Sequence, residues 1–277
     1  MMKSGQNHLQ SRFRSPRRRN WACLLGALGV LASGDAWAGL AQWSSTNFQI
    51  LYGDDYQSIY FNEDTGKLDS VDDVRSVITI EHVNGWKYGD NFMFVDITNA
   101  DRTTETTTNY YGEISPRLSF GKMTGANLNQ GLLNDILITT TAEIGEGFRS
   151  YLYGLAVDLN LPGFSFFQFN YYVRNDVELA GGPAPNDTGS QITLVWLVPF
   201  DIGTTVWAFE GFVDYAFDVD PGEDNIIAGP RLLMDVGELF GEKGNVQAGV
   251  EYQIWRNKFS IDGIDEDVVQ AMVKFIF

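Results

Sequence analysis

The C-terminal stretch decides the fold class. Residues 268–277 read VVQAMVKFIF. Val269 and Phe277 share one apolar face of this stretch, while Gln270 and Lys274 lie on the other, as in a strand whose side chains alternate between two faces. In a water-soluble protein, an apolar face that ends in a terminal phenylalanine would be an exposed edge prone to aggregation. We therefore expect this face to contact lipid.

The same two-residue alternation recurs along the chain in about twelve segments. They span residues 47–52, 76–83, 90–97, 110–120, 135–144, 151–159, 164–174, 191–200, 206–215, 226–235, 245–255 and 268–277. Residues 53–74, 178–190 and 217–225 are acidic or rich in turn formers and are predicted to be loops. Because lipid offers no partner for free backbone groups, strands cross a membrane only as a closed barrel. The pattern therefore predicts an all-β fold, a transmembrane antiparallel β-barrel of about twelve strands of the Gram-negative outer-membrane type.

The first 38 residues have the character of an export signal. Lys3 and the five arginines within 12–19 form a basic start, an apolar run follows at 21–31, and an A-x-A sequence ends at Ala38. These three features in this order are typical of a cleaved signal peptide. We predict a signal peptide at 1–38, cleavage after Ala38, and a single barrel domain at 39–277.

Composition excludes several classes of function. The chain has 36 Asp and Glu residues against 19 Lys and Arg residues, a formal net charge of −17, so nucleic acid should be repelled. No stretch after Ala38 approaches the roughly eighteen consecutive apolar residues of a membrane-spanning helix. The only cysteine, Cys23, lies at the start of the leader's apolar run, whereas a lipid-modified cysteine would follow that run. The mature chain can therefore form neither disulfides nor thiolate metal sites.

If the apolar faces contact lipid, the opposite faces line the lumen. These faces carry charges of both signs together with aromatic rings: Asp90, Phe92, Phe94, Asp96, Tyr111, Glu113, Arg117, Thr139, Thr141, Glu143, Asp158, Arg174, Glu210, Phe212, Asp214, Arg231, Asp235, Glu251 and Gln253. A barrel of eight strands is filled by its own side chains and a barrel of sixteen leaves a wide channel, so about twelve strands predict a narrow pore. The competing interpretation is a salt-bridged plug that merely satisfies the interior.

Aromatic residues cluster near the segment ends, where interfacial girdles of outer-membrane barrels lie. They are Trp43, Tyr52, Trp86, Tyr88, Tyr110, Tyr151, Trp196, Trp207, Tyr215 and Trp255. We interpret most of them as anchors, which makes outer-membrane lipid and lipopolysaccharide the expected partners of the outer surface.

Several patches carry a family resemblance. They are residues 81–96 (EHVNGWKYGDNFMFVD), 113–119 (EISPRLS), 153–159 (YGLAVDL), 198–200 (VPF) and 251–259 (EYQIWRNKF). In this order, the chain resembles the nucleoside-specific channel-forming (Tsx-like) family of outer-membrane proteins, which includes the outer-membrane protein K group. The resemblance implies a monomeric twelve-stranded barrel that passes nucleosides and deoxynucleosides and sometimes serves as a bacteriophage receptor. The terminal Phe277 resembles the signal read by the barrel-assembly machinery.

The lumen-facing residues suggest how a nucleoside could be held. Phe92, Phe94 or Phe212 could stack on the base, unless the phenylalanines simply pack the barrel wall. Asp96, Glu113, Arg117 or Arg231 could bond the ribose hydroxyls, and Asp214 and Glu251 complete the predicted channel lining. No cofactor is expected.

Three other functions were weighed against a channel. A hydrolase would need His82, the only histidine after the leader, but the alternation points it away from the lumen beside inward Glu81. Residues 218–224 are acidic around a glycine, yet they match a calcium-binding loop poorly, so no metal site is predicted. A receptor or adhesin barrel with a closed lumen remains open at this point, because its loops would carry the function.

Overall fold

The structure, a computed structural model, describes residues 41–99, 108–146, 148–178, 187–218 and 222–277. The predicted signal peptide at 1–38, with Cys23, lies outside the described residues. The strands are β1 (Ala41–Asn62), β2 (Lys67–Trp86), β3 (Gly89–Thr98), β4 (Asn109–Ser119), β5 (Leu133–Gly145), β6 (Phe148–Leu159), β7 (Phe166–Glu178), β8 (Asp187–Ile202), β9 (Thr205–Phe217), β10 (Asn225–Ala228), β11 (Arg231–Asp235), β12 (Val246–Arg256) and β13 (Glu266–Ile276). One short helix, α1 (Phe120–Thr124), follows β4. In the part of the chain that the structure describes, no helix is long and apolar enough to cross a membrane.

The strands form one closed antiparallel barrel. β13 pairs with both β12 and β1, which joins the last strand to the first. β10 and β11 both lie between β9 and β12, so they are two halves of a single barrel strand, interrupted at Gly229 and Pro230. Pro230 has no backbone N–H and cannot donate to a continuous ladder. Twelve strand positions therefore surround the lumen, which confirms the predicted fold.

The two ends of the barrel differ. The β1–β2 hairpin, with strands of 22 and 20 residues, extends well past the roughly 9–11 residues that cross a bilayer, and the long extensions of outer-membrane barrels lie on the extracellular side. Two of the shortest connections lie at the opposite end. Only Lys87 and Tyr88 separate β2 from β3, and only two residues, 203–204, separate β8 from β9. The C-terminus lies at the same end, where the Phe277 N–H donates to the Thr46 carbonyl at 2.8 Å. Outer-membrane barrels carry their short turns on the periplasmic side. We therefore assign this end to the periplasm and the β1–β2 hairpin to the outside.

The predicted faces of the final strand are correct. Val269 and Phe277 are 63% and 81% exposed on the outer surface, whereas Gln270 and Met272 are buried inside the barrel. Lys274 is buried on the same inner face. The apolar residues therefore cover the lipid side and the polar ones fill the interior, the reverse of a soluble protein.

Two predicted loops were placed wrongly. Residues 53–74 mostly extend the β1–β2 hairpin, since β1 continues to Asn62 and β2 begins at Lys67. The pairing register shifts between Gly53 and Tyr56, with Asp55 at a φ of 70°, and this bulge breaks the alternation that sequence reasoning relied on. Part of the predicted loop at 178–190 also belongs to β8, which begins at Asp187.

An apolar cluster lies inside the barrel rather than between two layers. Leu51 of β1, Leu233 of β11 and Met272 of β13 are nearly inaccessible and pack together, with Val77 of β2 against them. Their neighbours along the same inner faces are polar, such as Gln49. One side of the lumen is therefore closed by hydrocarbon, which leaves less room for a solute.

Candidate lumen site

The structure places all nine predicted lining residues on the inner face of the barrel. They are Phe92, Phe94, Asp96, Glu113, Arg117, Phe212, Asp214, Arg231 and Glu251. Eight of them contact other inward side chains, and the Phe212 ring lies close to Gly229. They form separate groups along the lumen wall. Their part in binding a solute stays a prediction.

An aromatic row follows β3 and β4. The ring centroids of Phe92 and Phe94 are 5.7 Å apart, and those of Phe94 and Tyr111 are 5.6 Å apart. Phe94 pairs with Glu113 across the two strands, and the Tyr111 hydroxyl donates to Glu113 Oε1 at 2.5 Å. The row thus combines flat apolar faces with a carboxylate acceptor on one wall.

Phe212 lies on a different part of the wall. A side chain at Gly229, the residue that interrupts the β10–β11 strand, would come within 2.7 Å of the Phe212 ring and 3.5 Å of the Glu251 carboxyl carbon. Glycine at this position therefore lets the ring and the carboxylate approach the same backbone. The aromatic row and Phe212 do not form a single stacking pair in the contacts of the described residues.

Arg117 is held between two carboxylates. Its Nε and Nη2 donate to Asp90 at 2.7 and 2.8 Å, and its Nη1 and Nη2 donate to Asp158 at 2.8 and 3.2 Å. Four of its five N–H donors face protein oxygens in two bidentate pairs. Arg117 is thus arranged to tie β3, β4 and β6 together, with little donor capacity left for a ribose.

Arg231 lies in a second charged group. Its Nε donates to Glu251, and its Nη1 lies 3.7 Å from Glu210, which also accepts from Lys274 Nζ at 2.7 Å. The other Glu251 oxygen accepts from Gln270 at 2.8 Å. Lys274, which the alternation had placed opposite the apolar face, was absent from the predicted site and belongs to this group.

Arg174 forms a third group around one guanidinium. It donates to both oxygens of Glu143 at 3.0 and 2.8 Å, and to Asp176 at 2.9 Å. Its remaining contacts are with neutral groups, Gln191 and Ser150. Sequence reasoning put Arg174 in the lumen but outside the predicted site, because alternation does not tell which inward residues gather.

Tyr56 also reaches the lumen and was missed. It is buried, and its hydroxyl donates to Gln270 Oε1 at 2.5 Å, next to the Arg231 group. Tyr56 lies just after the bulge in β1, inside the segment that was predicted to be a loop. In the sequence, only the two-residue alternation that restarts at Tyr56 indicated that this side chain faces the lumen.

Three carboxylates differ from the others in their partners. Asp96 accepts from the Thr79 hydroxyl at 2.5 Å, Glu113 accepts from Tyr111, and Asp214 accepts from the Thr193 hydroxyl at 2.5 Å and Gln191 at 3.3 Å. Among the described residues, none of these three carboxylates is within 4.0 Å of a basic group. The lumen therefore offers acceptors that the protein's own cations do not occupy.

Inward side chains fill parts of the interior between these groups. Gln49, Thr139 and Gln270 all face inward and are at most 1% exposed to water. His82 is on the opposite face from inward Glu81, with Nδ1 2.8 Å from the Thr46 hydroxyl, so it cannot serve the lumen. The predicted orientation of His82 is confirmed, and the narrow pore stays a prediction.

A family model described as "Nucleoside-specific channel-forming protein, Tsx" matches residues 54–259. Among solved structures, the KdgM porin in complex with disordered oligogalacturonate is similar with a TM-score of 0.48 and 9% identity, covering 84% of this chain and 99% of that one. The NanC porin is similar with a TM-score of 0.49 and 10% identity, covering 82% of this chain and 98% of that one. OpdQ of Pseudomonas aeruginosa has a TM-score of 0.29 and 8% identity, covering 84% of this chain and 97% of that one. No curated protein sequence matches the chain. The matched residues include most of the barrel and all nine predicted lining residues, and the chain belongs to the family of nucleoside-specific channel-forming proteins, Tsx.

Proposed function

We propose that the chain passes nucleosides, or small polar solutes of similar shape, through the lumen of its outer-membrane barrel. The observation that carries this is the Phe92, Phe94 and Tyr111 row beside Glu113 on the inner wall. Membership of a channel-forming family makes the chain an outer-membrane channel for small solutes and does not favour a closed-lumen receptor. The choice of nucleosides is the part that requires an experiment.

The chemistry of a nucleoside suits this wall. Its flat base can stack on Phe92 or Phe94, which contributes about 1–3 kcal/mol per base. Its ribose hydroxyls are donors, and Asp96 and Glu113 are acceptors without a basic partner. A channel must release what it binds, so such sites are weak, with dissociation constants of roughly micromolar to millimolar. None of these roles requires a cofactor or a catalytic group, and we propose a channel without enzymatic activity.

Single-channel conductance of the refolded barrel in a planar bilayer tests the proposal. We expect a small conductance that adenosine reduces and a sugar of similar size does not, because only adenosine carries a base that stacks. A conductance insensitive to adenosine would refute nucleoside binding. A barrel without conductance would refute the channel itself and favour the receptor function.

The aromatic row can be tested in the same membrane. Phe94→Ala should weaken the adenosine block about fivefold to a hundredfold, the equivalent of one lost stacking contact. The matched control is Phe209→Ala, which removes the same side chain from the outer face, where Phe209 is 41% exposed. Equal adenosine block in Phe94→Ala and Phe209→Ala would assign Phe94 to wall packing alone.

The proposal extends to export and assembly. We propose that residues 1–38 are cleaved as a signal peptide, that Phe277 is read by the barrel-assembly machinery, and that the acidic outer loops contact lipopolysaccharide and in some hosts a bacteriophage. Phe277 supports this because it is 81% exposed on the outer face at the periplasmic end. Deletion of Phe277 should lower the folded fraction in outer membranes, measured by heat-modifiable gel mobility. An unchanged folded fraction would remove Phe277 from the assembly signal.

A further inference from the structure

The middle of the lumen has more acid than its bases neutralise. Arg174 is the base of this region, and it is already shared by Glu143 and Asp176. Glu113 pairs with Glu143 across β4 and β5, yet Glu113 and Asp214 themselves bond only hydroxyl and amide donors. A buried carboxylate without a cation in direct contact is costly. A positively charged guest would relieve that cost.

The two carboxylates lie on strands that are far apart around the barrel. Glu113 lies on β4 and Asp214 on β9, and five steps around a closed ring of twelve strands lead nearly to the opposite wall. Arg174 bonds Glu143, the cross-strand partner of Glu113, and also Gln191, which donates to Asp214, so the two carboxylates border the same part of the lumen. Both carboxylates are therefore placed to contact the same passing group.

A second observation also indicates a missing donor. Asn170 of β7 is 97% buried, and its Oδ1 has no hydrogen-bond partner, while its Nδ2 donates to the Thr193 carbonyl at 3.3 Å. Tyr171, its neighbour along β7, points outward and is 42% exposed, so Asn170 points inward. Asn170, Thr193 and Asp214 are aligned across three strands. The orphan oxygen is thus an acceptor on the same row as Asp214.

The chemistry of this region favours an ammonium group. The Glu113 and Asp214 carboxyl groups and the Asn170 amide oxygen all accept hydrogen bonds, and a bound ammonium group would favour the ionised form of both carboxyl groups. The rings of Phe94 and Tyr111 lie beside Glu113, and aromatic faces attract cations. A neutral solute could donate hydrogen bonds but would not offset the charge, and an anion would be repelled.

We propose that Glu113, Asp214 and Asn170 form a binding site for the ammonium group of a small organic cation, so that the channel passes protonated primary amines as well as nucleosides. This rests on the proposed function only in requiring an open channel. The site recognises the N–H donors and the positive charge of the guest together. It differs from stacking on a base, which needs neither.

Block of potassium current by propylammonium tests the site. In a planar bilayer, propylammonium should reduce single-channel conductance at concentrations where 1-propanol, its neutral analogue of similar size, has no effect. Tetramethylammonium, which is charged but has no N–H donor, should block less. Equal block by tetramethylammonium and propylammonium would overturn the site, because charge alone would then explain the effect.

Single substitutions locate the site. Glu113→Gln and Asp214→Asn should each weaken the propylammonium block about tenfold, the value expected for one charge-assisted hydrogen bond. Asn170→Leu keeps the charge and the approximate size, and it should weaken the block by a smaller factor. The control is Glu238→Gln, which removes one charge from an exposed residue of the periplasmic turn at 237–240. A block that weakens equally in Glu238→Gln and in the three lumen variants would refute the site.

Adenosine in the same membranes separates this inference from the proposed function. If adenosine blocks the wild-type channel and propylammonium does not, the ammonium site is wrong and the nucleoside function stands. If propylammonium blocks and adenosine does not, the nucleoside function is wrong and the ammonium site stands. A variant that fails to insert gives no current at all, and the other two lumen variants then decide the outcome.

Discussion

At the scale of single residues, the basic side chains of the lumen are held in buried ion pairs. Arg117 shows the pattern most clearly, because two bidentate carboxylates surround one guanidinium. Such a pair contributes little net stability over an apolar replacement of both partners, but loss of one partner is expensive. The lining residues of the predicted site are therefore also structural residues.

Arg117→Met tests this structural role. We expect a loss of about 3–5 kcal/mol in the free energy of unfolding, because Asp90 and Asp158 would be left as facing carboxylates without a cation. Guanidinium-induced unfolding of the barrel in lipid vesicles measures it. Arg256→Met is the matched control, since the Arg256 and Asp267 side chains are 40% and 45% exposed and such pairs contribute about 0–1 kcal/mol. Equal losses in the two variants would contradict the structural role of Arg117.

At the scale of elements, the β1–β2 hairpin is hydrogen-bonded to the connection between β12 and β13 and to the start of β13. Lys258 Nζ, in the connection between β12 and β13, donates to the Gln57 carbonyl at 3.2 Å and to the Glu266 carboxylate. The Gln57 N–H donates to the same carboxylate at 2.6 Å. Burial lowers the pKa of the Lys258 ammonium, and the Glu266 charge opposes that shift. A buried ion pair and a backbone contact thus join two segments that are far apart in sequence.

Lys258→Met should release this hairpin. The Glu266 carboxylate, which is 1% exposed, would lose its cation and could no longer anchor the Gln57 backbone. We expect faster amide hydrogen exchange or faster proteolysis within residues 57–73, while the barrel strands stay protected. Lys243→Met is the control because the Lys243 and Glu238 side chains are at least 50% exposed. Unchanged exchange at 57–73 would show that the hairpin is held by its own pairing.

At the scale of the whole molecule, the apolar cluster and the polar lining of the barrel together define the path of a solute. Leu51, Leu233 and Met272 close one side of the interior, while the aromatic row and Glu113 lie on strands β3 and β4. A hydrocarbon cluster offers no hydrogen bonds to a polar solute. We infer that polar solutes follow the β3–β4 wall rather than the hydrocarbon cluster.

Leu233→Ala should widen that path. Removing the buried side chain leaves a cavity, so single-channel conductance should rise while the free energy of unfolding falls by about 2–5 kcal/mol. Leu232→Ala is the matched control, because the neighbouring leucine is 40% exposed on the outer face and does not border the lumen. A conductance equal to that of Leu232→Ala would show that the cluster does not limit the pore.

The sequence by itself determined which face of each strand meets lipid. Val269 and Gln270 were assigned correctly because alternation is a local property of an extended chain, and nothing distant is needed to read it. The same local rule failed after Gly53, where a bulge shifts the period and hides Tyr56. Local patterns therefore predicted the barrel, its strand number and the membership of the lumen lining.

Only the tertiary structure decided which lining residues meet. Asp90 and Asp158 lie 27 and 41 positions from Arg117, and the register of the strands in the closed barrel brings all three together. Closure also brings Glu113 and Asp214 near the Arg174 group, where the Arg174 guanidinium pairs with Glu143 and not with these two carboxylates. Pairing between charges depends on cross-strand register and barrel curvature, which sum over many strands and which no single segment encodes.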